Sequence, residues 1–405
     1  MATGFFPLDA ELHLPSTCLL PHAHQALVRL GTLLPFAQAA KQLHALLAIE
    51  VSPSTVRQHT QQAGRGSLEV QTEQAKPLAR CAEEAPAERM VMSADGAFVP
   101  LVGGQWAEVK LLAIGQVEGQ EKSEDDGRAA VTTTHLSYFA RLADATTFSD
   151  LASAEIRRRG IDRAKAVCAV QDGAEWLVGL TQSHRQDALR ILDFAHAAGR
   201  IAAIEEGLEA AGRPVPVNWR EDVLHRLKHE GPDDVLRELE QSYQDAGKPE
   251  AMGEHVRYLE KRMASMQYPT FQQAGWPIGS GMVESGNKLV MQARLKGAGM
   301  HWKPEQVNPM LALRMNLCND RWHEGWKDSL QWNEQQQAGE RRRKQQQRFQ
   351  QRQSSRSKPV MALTTAATPQ KSASKTVTGR TPAQYRWGRQ TFSPRMLRQG
   401  GSAKI

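Results

Sequence analysis

Apolar positions recur at helical spacing over residues 24–34 and 35–47, a short break follows at 48–51, and a third helix is expected from Ser52. Ser52 can cap that helix, Pro53 suits its first position, and Gly64 can end it. Helix, tight turn and short helix, with Thr55, Arg57, Gln58 and Gln61 exposed, is a helix-turn-helix layout. Those side chains suit base edges and phosphates, although helical hairpins with polar faces are common without any DNA role. Residues 66–87 are polar and acidic and read as a linker. The period then shortens. Residues 89–95, 106–117 and 134–142 look like strands, and 119–128 is a charged turn between the second and third. A helix over 148–159 closed by Gly160, a strand over 164–171, a short helix and a strand over 188–194 follow. Three antiparallel strands followed by parallel ones predict an α/β fold, a mixed sheet with helices on its faces.

Residues 197–273 are amphipathic and helical, punctuated by Gly212-Arg213-Pro214, Gly231-Pro232 and Gly247-Lys248-Pro249, and read as a helical insertion. Helices are expected over 281–295 and 304–321. After Trp332 the chain turns Gln/Arg-rich and then Ser/Thr/Ala-rich, and lacks the apolar content for a core. The expected organisation is therefore a helical DNA-binding region (1–70), a sheet domain in two parts (88–196 and 276–330) split by the insertion (197–275), and a disordered basic tail (335–405).

Composition changes this picture in one respect. The net charge of +7 is unevenly distributed: residues 335–405 carry 16 Lys/Arg against the single acid Glu340, leaving 35 Lys/Arg against 43 Asp/Glu in the rest. The tail suits phosphate contacts and counterion release, or it simply solubilises the chain. There is no apolar run of about 18 residues and no secretion-signal layout. Cys18, Cys81, Cys168 and Cys318 are scattered without a Cys-x-x-Cys pair, which fits reduced thiols in the cytoplasm rather than a disulfide frame or zinc site.

Three acids stand out. Asp95 and Asp172 each end a short apolar run, and Glu284 falls in the first turn of a helix opened by Ile278-Gly279-Ser280-Gly281. Asp-Gly is also a turn dipeptide, so either aspartate alone reads as structural. In a sheet of this order, however, the first and fourth strands are neighbours, and both aspartates meet there. Oxygen ligands arranged in this way favour Mg²⁺ or Mn²⁺ over zinc. The glycines do not form a dinucleotide fingerprint, because Glu284 occupies the third glycine position. Gly286 inside the helix costs ~1 kcal/mol relative to alanine, which suggests close approach of a strand or a phosphate backbone. Lys288 shares the face of Glu284 and could touch a phosphate or lie in solvent. Arg294, Lys296 and Trp302 form a basic aromatic turn suited to backbone binding and stacking, with a packed tryptophan as the equal alternative for Trp302. Asp193 and His196 have the spacing of an orienting hydrogen-bond pair. Trp219, Trp322 and Trp326 read as core aromatics.

Several of these runs, taken together, resemble the ISKra-type bacterial insertion-sequence transposases: Gly4-Phe5-Phe6-Pro7-Leu8-Asp9, Asp95-Gly96, Gln171-Asp172-Gly173-Ala174-Glu175-Trp176, Asp193-Phe194-Ala195-His196, Ile278 through Ser285, and Arg294 through Trp302. The resemblance spans about residues 4–325. It implies an RNase H-like DDE domain interrupted by a helical insertion, with Asp95, Asp172 and Glu284 as the acidic triad holding Mg²⁺. It further implies double-stranded DNA as partner (terminal repeats and target), a homo-oligomer on DNA, and a bacterial cytoplasmic, nucleoid-associated location. Relatives carry an extra amino-terminal segment, often with a Cys-x-x-Cys pair, ahead of the Gly-Phe-Phe-Pro run. Its absence here is expected to reflect truncation or a misplaced start. A DNA-binding remnant without catalysis and an RNase H-like nuclease without strand transfer are the rival expectations.

Overall fold

The computed structural model describes residues 19–76, 84–85, 87–122 and 129–356. The Gly4–Asp9 run, Cys18, Cys81, the centre of the 119–128 turn and the tail from 357 lie outside them. Residues Met1–Arg343 form one compact unit and Lys344–Ile405 a second, in which the described residues, up to Arg356, are helical.

Helices α1 (Pro21–Leu33), α2 (Phe36–Leu47) and α3 (Pro53–Gln74) come first. Strands β1 (Arg89–Pro100), β2 (Trp106–Lys122) and β3 (Ala129–Arg141) follow, then α4 (Ala145–Arg159), β4 (Ala166–Gln171), α5 (Glu175–His184) and β5 (Leu189–Leu192). A helical stretch comprises α6 (Phe194–Ala210), α7 (Trp219–His229), α8 (Pro232–Asp245), α9 (Glu250–Glu260) and α10 (Tyr268–Gln273). Then α11 (Gly281–Gly286) runs into a π-helical stretch (Asn287–Gln292) and one more α turn (Ala293–Leu295). The chain continues through α12 (Pro304–Cys318) and α13 (Trp322–Arg356). No helix among the described residues is long and apolar enough to cross a membrane.

The sheet is mixed, open and five-stranded, in the order β3-β2-β1-β4-β5. β1 runs antiparallel to β2, β2 antiparallel to β3, and β4 parallel to both β1 and β5. Alternation along the central strands builds a core on each face. Met90, Met92, Val167 and Ala169 join one apolar cluster with β2, β3, α4 and α12. Val91, Cys168 and Val170 join another with α6 to α10.

Several boundaries differ from the sequence reading: β2 runs on to Lys122 and β3 starts at Ala129, both inside or beside the expected 119–128 turn, and two further differences have packing causes. Gly64 does not end α3. The helix continues to Gln74, so the first part of the expected linker is helical. A Cβ on Gly64 would stand 2.6 Å from the Pro309 carbonyl oxygen, so glycine is there to let α3 and α12 touch. That contact, with a core of Leu27, Val28, Leu43, Val56, Leu313 and Trp322, joins the N-terminal helices to the main unit. Asp95 likewise does not end β1, because β2 accompanies the strand as far as the Pro100–Trp106 pair. Only the pairing with β4 stops earlier, at Met92–Ala169.

Residues 335–356, expected to be disordered, are helical. Gln, Arg and Lys are good helix formers, and the helix is already nucleated at the packed Trp322 end, so propagation needs no core of its own.

Candidate active site

The parallel register between β1 and β4 places the two aspartates. Met92 is the last β1 residue paired with β4, opposite Ala169. Three residues on from each stand Asp95 and Asp172, level with each other where the ladder has opened. By alternation they share a face with Val91 and with Cys168 and Val170. The Ser93 hydroxyl donates to the Val170 carbonyl at 2.7 Å and ties the strands together just before they diverge.

Each carboxylate is held by short bonds. The Gly96 N–H donates to Asp95 Oδ1 at 2.7 Å, and Asn287 Nδ2 donates to Asp95 Oδ2 at 2.6 Å. The Ala174 N–H donates to Asp172 Oδ1 at 2.7 Å. Burial pushes the Asp95 carboxyl above its ordinary value; the bonds from Gly96 and Asn287 oppose this, and the charge of Asp172 adds to it. Among the described residues no Lys or Arg ion-pairs with Asp95, Asp172 or Glu284.

The helical stretch braces the Asp172 turn from outside. Gly173 takes a φ of 81°, and Arg262 Nη2 donates to its carbonyl at 2.6 Å. The Tyr258 hydroxyl donates to the Asp172 carbonyl, and its ring lies between the guanidinium groups of Arg200 and Arg262, 4.1 and 3.8 Å from the ring centre.

Asp193 joins two helix starts. Its side chain caps α6 through the Ala195 N–H at 2.6 Å, and it accepts from both the N–H (2.9 Å) and the hydroxyl of Ser280, the residue before α11. It is 1% exposed. Burial alone would raise its pKa; His196, Ser280 and the two backbone donors outweigh that and hold it at about 2. His196 Nδ1 stands 3.8 Å from Asp193 Oδ2, an ion-pair contact longer than a hydrogen bond. Asp193 raises the His196 pKa against partial burial, and the charges of Asp172 and Asp95 raise it further. The Asp193–His196 pair thus lies beside the acids and anchors the helix that carries Glu284.

Glu284 is exposed in α11, one turn before the buried Asn287 that touches Asp95. The helix seats closely on the sheet: a Cβ on Gly286 would meet Tyr138 at 2.7 Å and Leu111 at 2.9 Å, so the close approach expected there is to strands. Among the described residues no group of three His, Cys, Asp or Glu side chains is gathered tightly enough to hold a metal ion. The structure therefore brings Asp95 and Asp172 together and carries Glu284 on the adjoining helix, outside a closed ligand cluster.

The sequence-selected basic and polar residues separate into two sets. Arg57, Gln58, Lys288 and Lys296 are exposed, and Gln61 is half-buried. The Thr55 hydroxyl is hydrogen-bonded to Ser52 Oγ at 2.9 Å, and the Thr55 N–H also donates to that oxygen, so Thr55 belongs to the helix cap. Arg294 and Trp302, expected as contacts, are buried. Arg294 Nε and Nη2 both donate to the Gly31 carbonyl at 3.1 Å, and the Trp302 indole N–H donates to the Leu295 carbonyl at 3.1 Å. Phe36 meets Trp302 edge to face, and the Arg294 guanidinium lies over both rings, so these side chains pack among themselves.

Sequence reasoning passed over Asn287, Tyr258 and Arg262. Asn287 follows Glu284 at i+3, which was a usable signal. Tyr258 is 86 residues from its partner and gave none. Compared with known proteins, the chain matches no family model and no curated protein.

Proposed function

We propose that this chain is a DNA strand transferase of RNase H-like fold, a DDE transposase acting on double-stranded DNA as a bacterial, nucleoid-associated oligomer. The observation that carries the reading is the level placement of Asp95 and Asp172 at the opening between two parallel strands, with no ion-paired arginine or lysine among the described residues to neutralise them. The strand order, with three antiparallel strands followed by parallel ones and a helical insertion between β5 and the Glu284 helix, supports it.

Asp95, Asp172 and Glu284 would hold Mg²⁺ or Mn²⁺, and their all-oxygen chemistry fits such an ion. The bound cation supplies Lewis-acid polarisation of a phosphodiester and lowers the pKa of attacking water. The chain's own groups do the positioning. Asn287 fixes the Asp95 carboxylate, Tyr258 and Arg262 fix the Asp172 turn, and Asp193 fixes the start of the Glu284 helix. No covalent protein–DNA bond is called for, since water and then a DNA 3′-OH are the nucleophiles.

The non-catalytic DNA-binding reading draws on one observation, the exposure of Glu284 outside a closed cluster. Incubating the full chain with Mn²⁺, labelled element ends and target plasmid separates the readings. Joined donor–target products support strand transfer; cleavage without joining supports a nuclease; gel shifts without cleavage support the binding protein.

A further inference from the structure

A cleft of about 700 Å³ lies between α3 and the 299–306 segment, and nothing in the chemistry above uses it. Arg57, Gln61 and Arg65 line it from α3, Lys303 and Gln306 from the opposite wall, with Trp302 behind them. Arg57, Arg65 and Lys303 are exposed, and their side chains have neither an ion pair nor a hydrogen bond among the described residues. Gln306 Oε1 is buried without a partner. Among the described residues the single acid on the rim is Glu305. Some surface arginines find acids, as in Arg158–Glu324 and Arg226–Glu238, both at 2.6 Å, whereas these three cations gather unpaired around one concave surface.

Arg294 forms part of the wall and is 2% exposed. It bonds a carbonyl rather than a carboxylate, between the rings of Phe36 and Trp302 at 4.7 and 5.1 Å. Burial lowers its pKa to about 10, so it stays charged at neutral pH. A buried cation without an acid partner adds positive potential to the cleft. It also ties α1, which packs against α3, to the turn that precedes the 299–306 segment.

We propose that this cleft seats the phosphate backbone of duplex DNA, gripped by α3 on one side and the 301–303 turn on the other. The choice of duplex DNA rests on the strand-transfer reading; the anion-binding character of the cleft does not. Its position sets a distance. The Trp302 backbone pairs with the tip of β1 through Pro100, Leu101 and Val102. From Asp95 to Leu101 is six residues of strand, ~20 Å at ~3.3 Å per residue.

The test is fluorescence anisotropy of the full chain, in EDTA, with a labelled random-sequence duplex of about 40 base pairs across a salt series. Replacing Arg57, Arg65 and Lys303 together with alanine is expected to weaken binding at least tenfold and to reduce the salt slope by about 2.7, at ~0.9 per phosphate. The Arg57→Lys/Arg65→Lys/Lys303→Arg variant is expected to keep the slope. Affinity within twofold of wild type with an unchanged slope overturns the proposal, and leaves DNA binding to the tail. Preferential binding of single-stranded RNA, lost in the alanine variant, overturns duplex DNA as the occupant. Because EDTA suppresses chemistry, the binding result stands apart from catalysis; a chain that binds through the cleft in EDTA yet never cuts when Mn²⁺ is supplied would sink the strand-transfer reading alone.

Discussion

Asp95 and Asp172 stand level on adjacent parallel strands, because the register that pairs Met92 with Ala169 carries both chains three residues further to the two carboxylates. The paired ladder ends at Met92–Ala169, so no hydrogen-bonded backbone of these two strands joins the acids, and the charge of Asp172 is felt at Asp95. Burial and mutual repulsion raise the Asp95 pKa, a cost that a divalent cation would offset.

Gly64 gives a sharp test of the packing. Helix propensity alone predicts that Gly64→Ala stabilises the chain by ~1 kcal/mol. The 2.6 Å approach to the Pro309 carbonyl predicts the reverse, a net loss of about 1–3 kcal/mol from overpacking. Urea denaturation decides: a gain in stability would mean that α3 and α12 are not in contact.

Asp193→Ala should cost about 2–4 kcal/mol, because it removes the cap of α6 and leaves the Ser280 donors unsatisfied in a buried site. Asp193→Asn, which keeps an acceptor, should recover part of that loss. Equal unfolding midpoints for wild type and Asp193→Ala would show that the Ser280 anchor contributes nothing.

His24 makes stability depend on pH. Its Nε2 lies 3.2 Å from His59 Nδ1, its ring packs against Trp326, and burial, then His59, lower its pKa from 6.5 to about 4. The unfolded chain therefore takes up the proton first. The contribution is complete above pH 6.5 and is lost as pH falls toward 4, by at most ~3 kcal/mol. The stability difference between wild type and His24→Gln should shrink over that window; a difference independent of pH contradicts the assignment.

The sheet was legible in the sequence because its strands carry apolar and β-branched runs with glycine-containing breaks between them, and the order of antiparallel then parallel strands follows from those runs. Gly160 ends α4 with a φ of 70°, and Ser52 with Pro53 starts α3, as local signals foretold. Gly64 was misjudged as a helix end, while the sequence left Trp302 open between stacking and packing and gave no sign that Arg294 is buried. Each owes its place to an element distant in sequence, and the glycine and the basic aromatic turn present the same local pattern whether they end a helix, grip DNA or pack against a neighbour. The two aspartates were legible because their separation equals the strand offset; the Tyr258 brace and the cleft beside α3 exist only after folding.

The central claim is that Asp95, Asp172 and Glu284 act together on DNA, and cleavage of a labelled element-end duplex by the purified full chain with and without Mg²⁺ tests it most directly. The account predicts metal-dependent nicking by wild type, and loss of at least about a thousandfold in rate for each single alanine replacement, ~4 kcal/mol of transition-state stabilisation, with duplex affinity retained. A variant lacking all three acids that still cuts at the wild-type rate would contradict it.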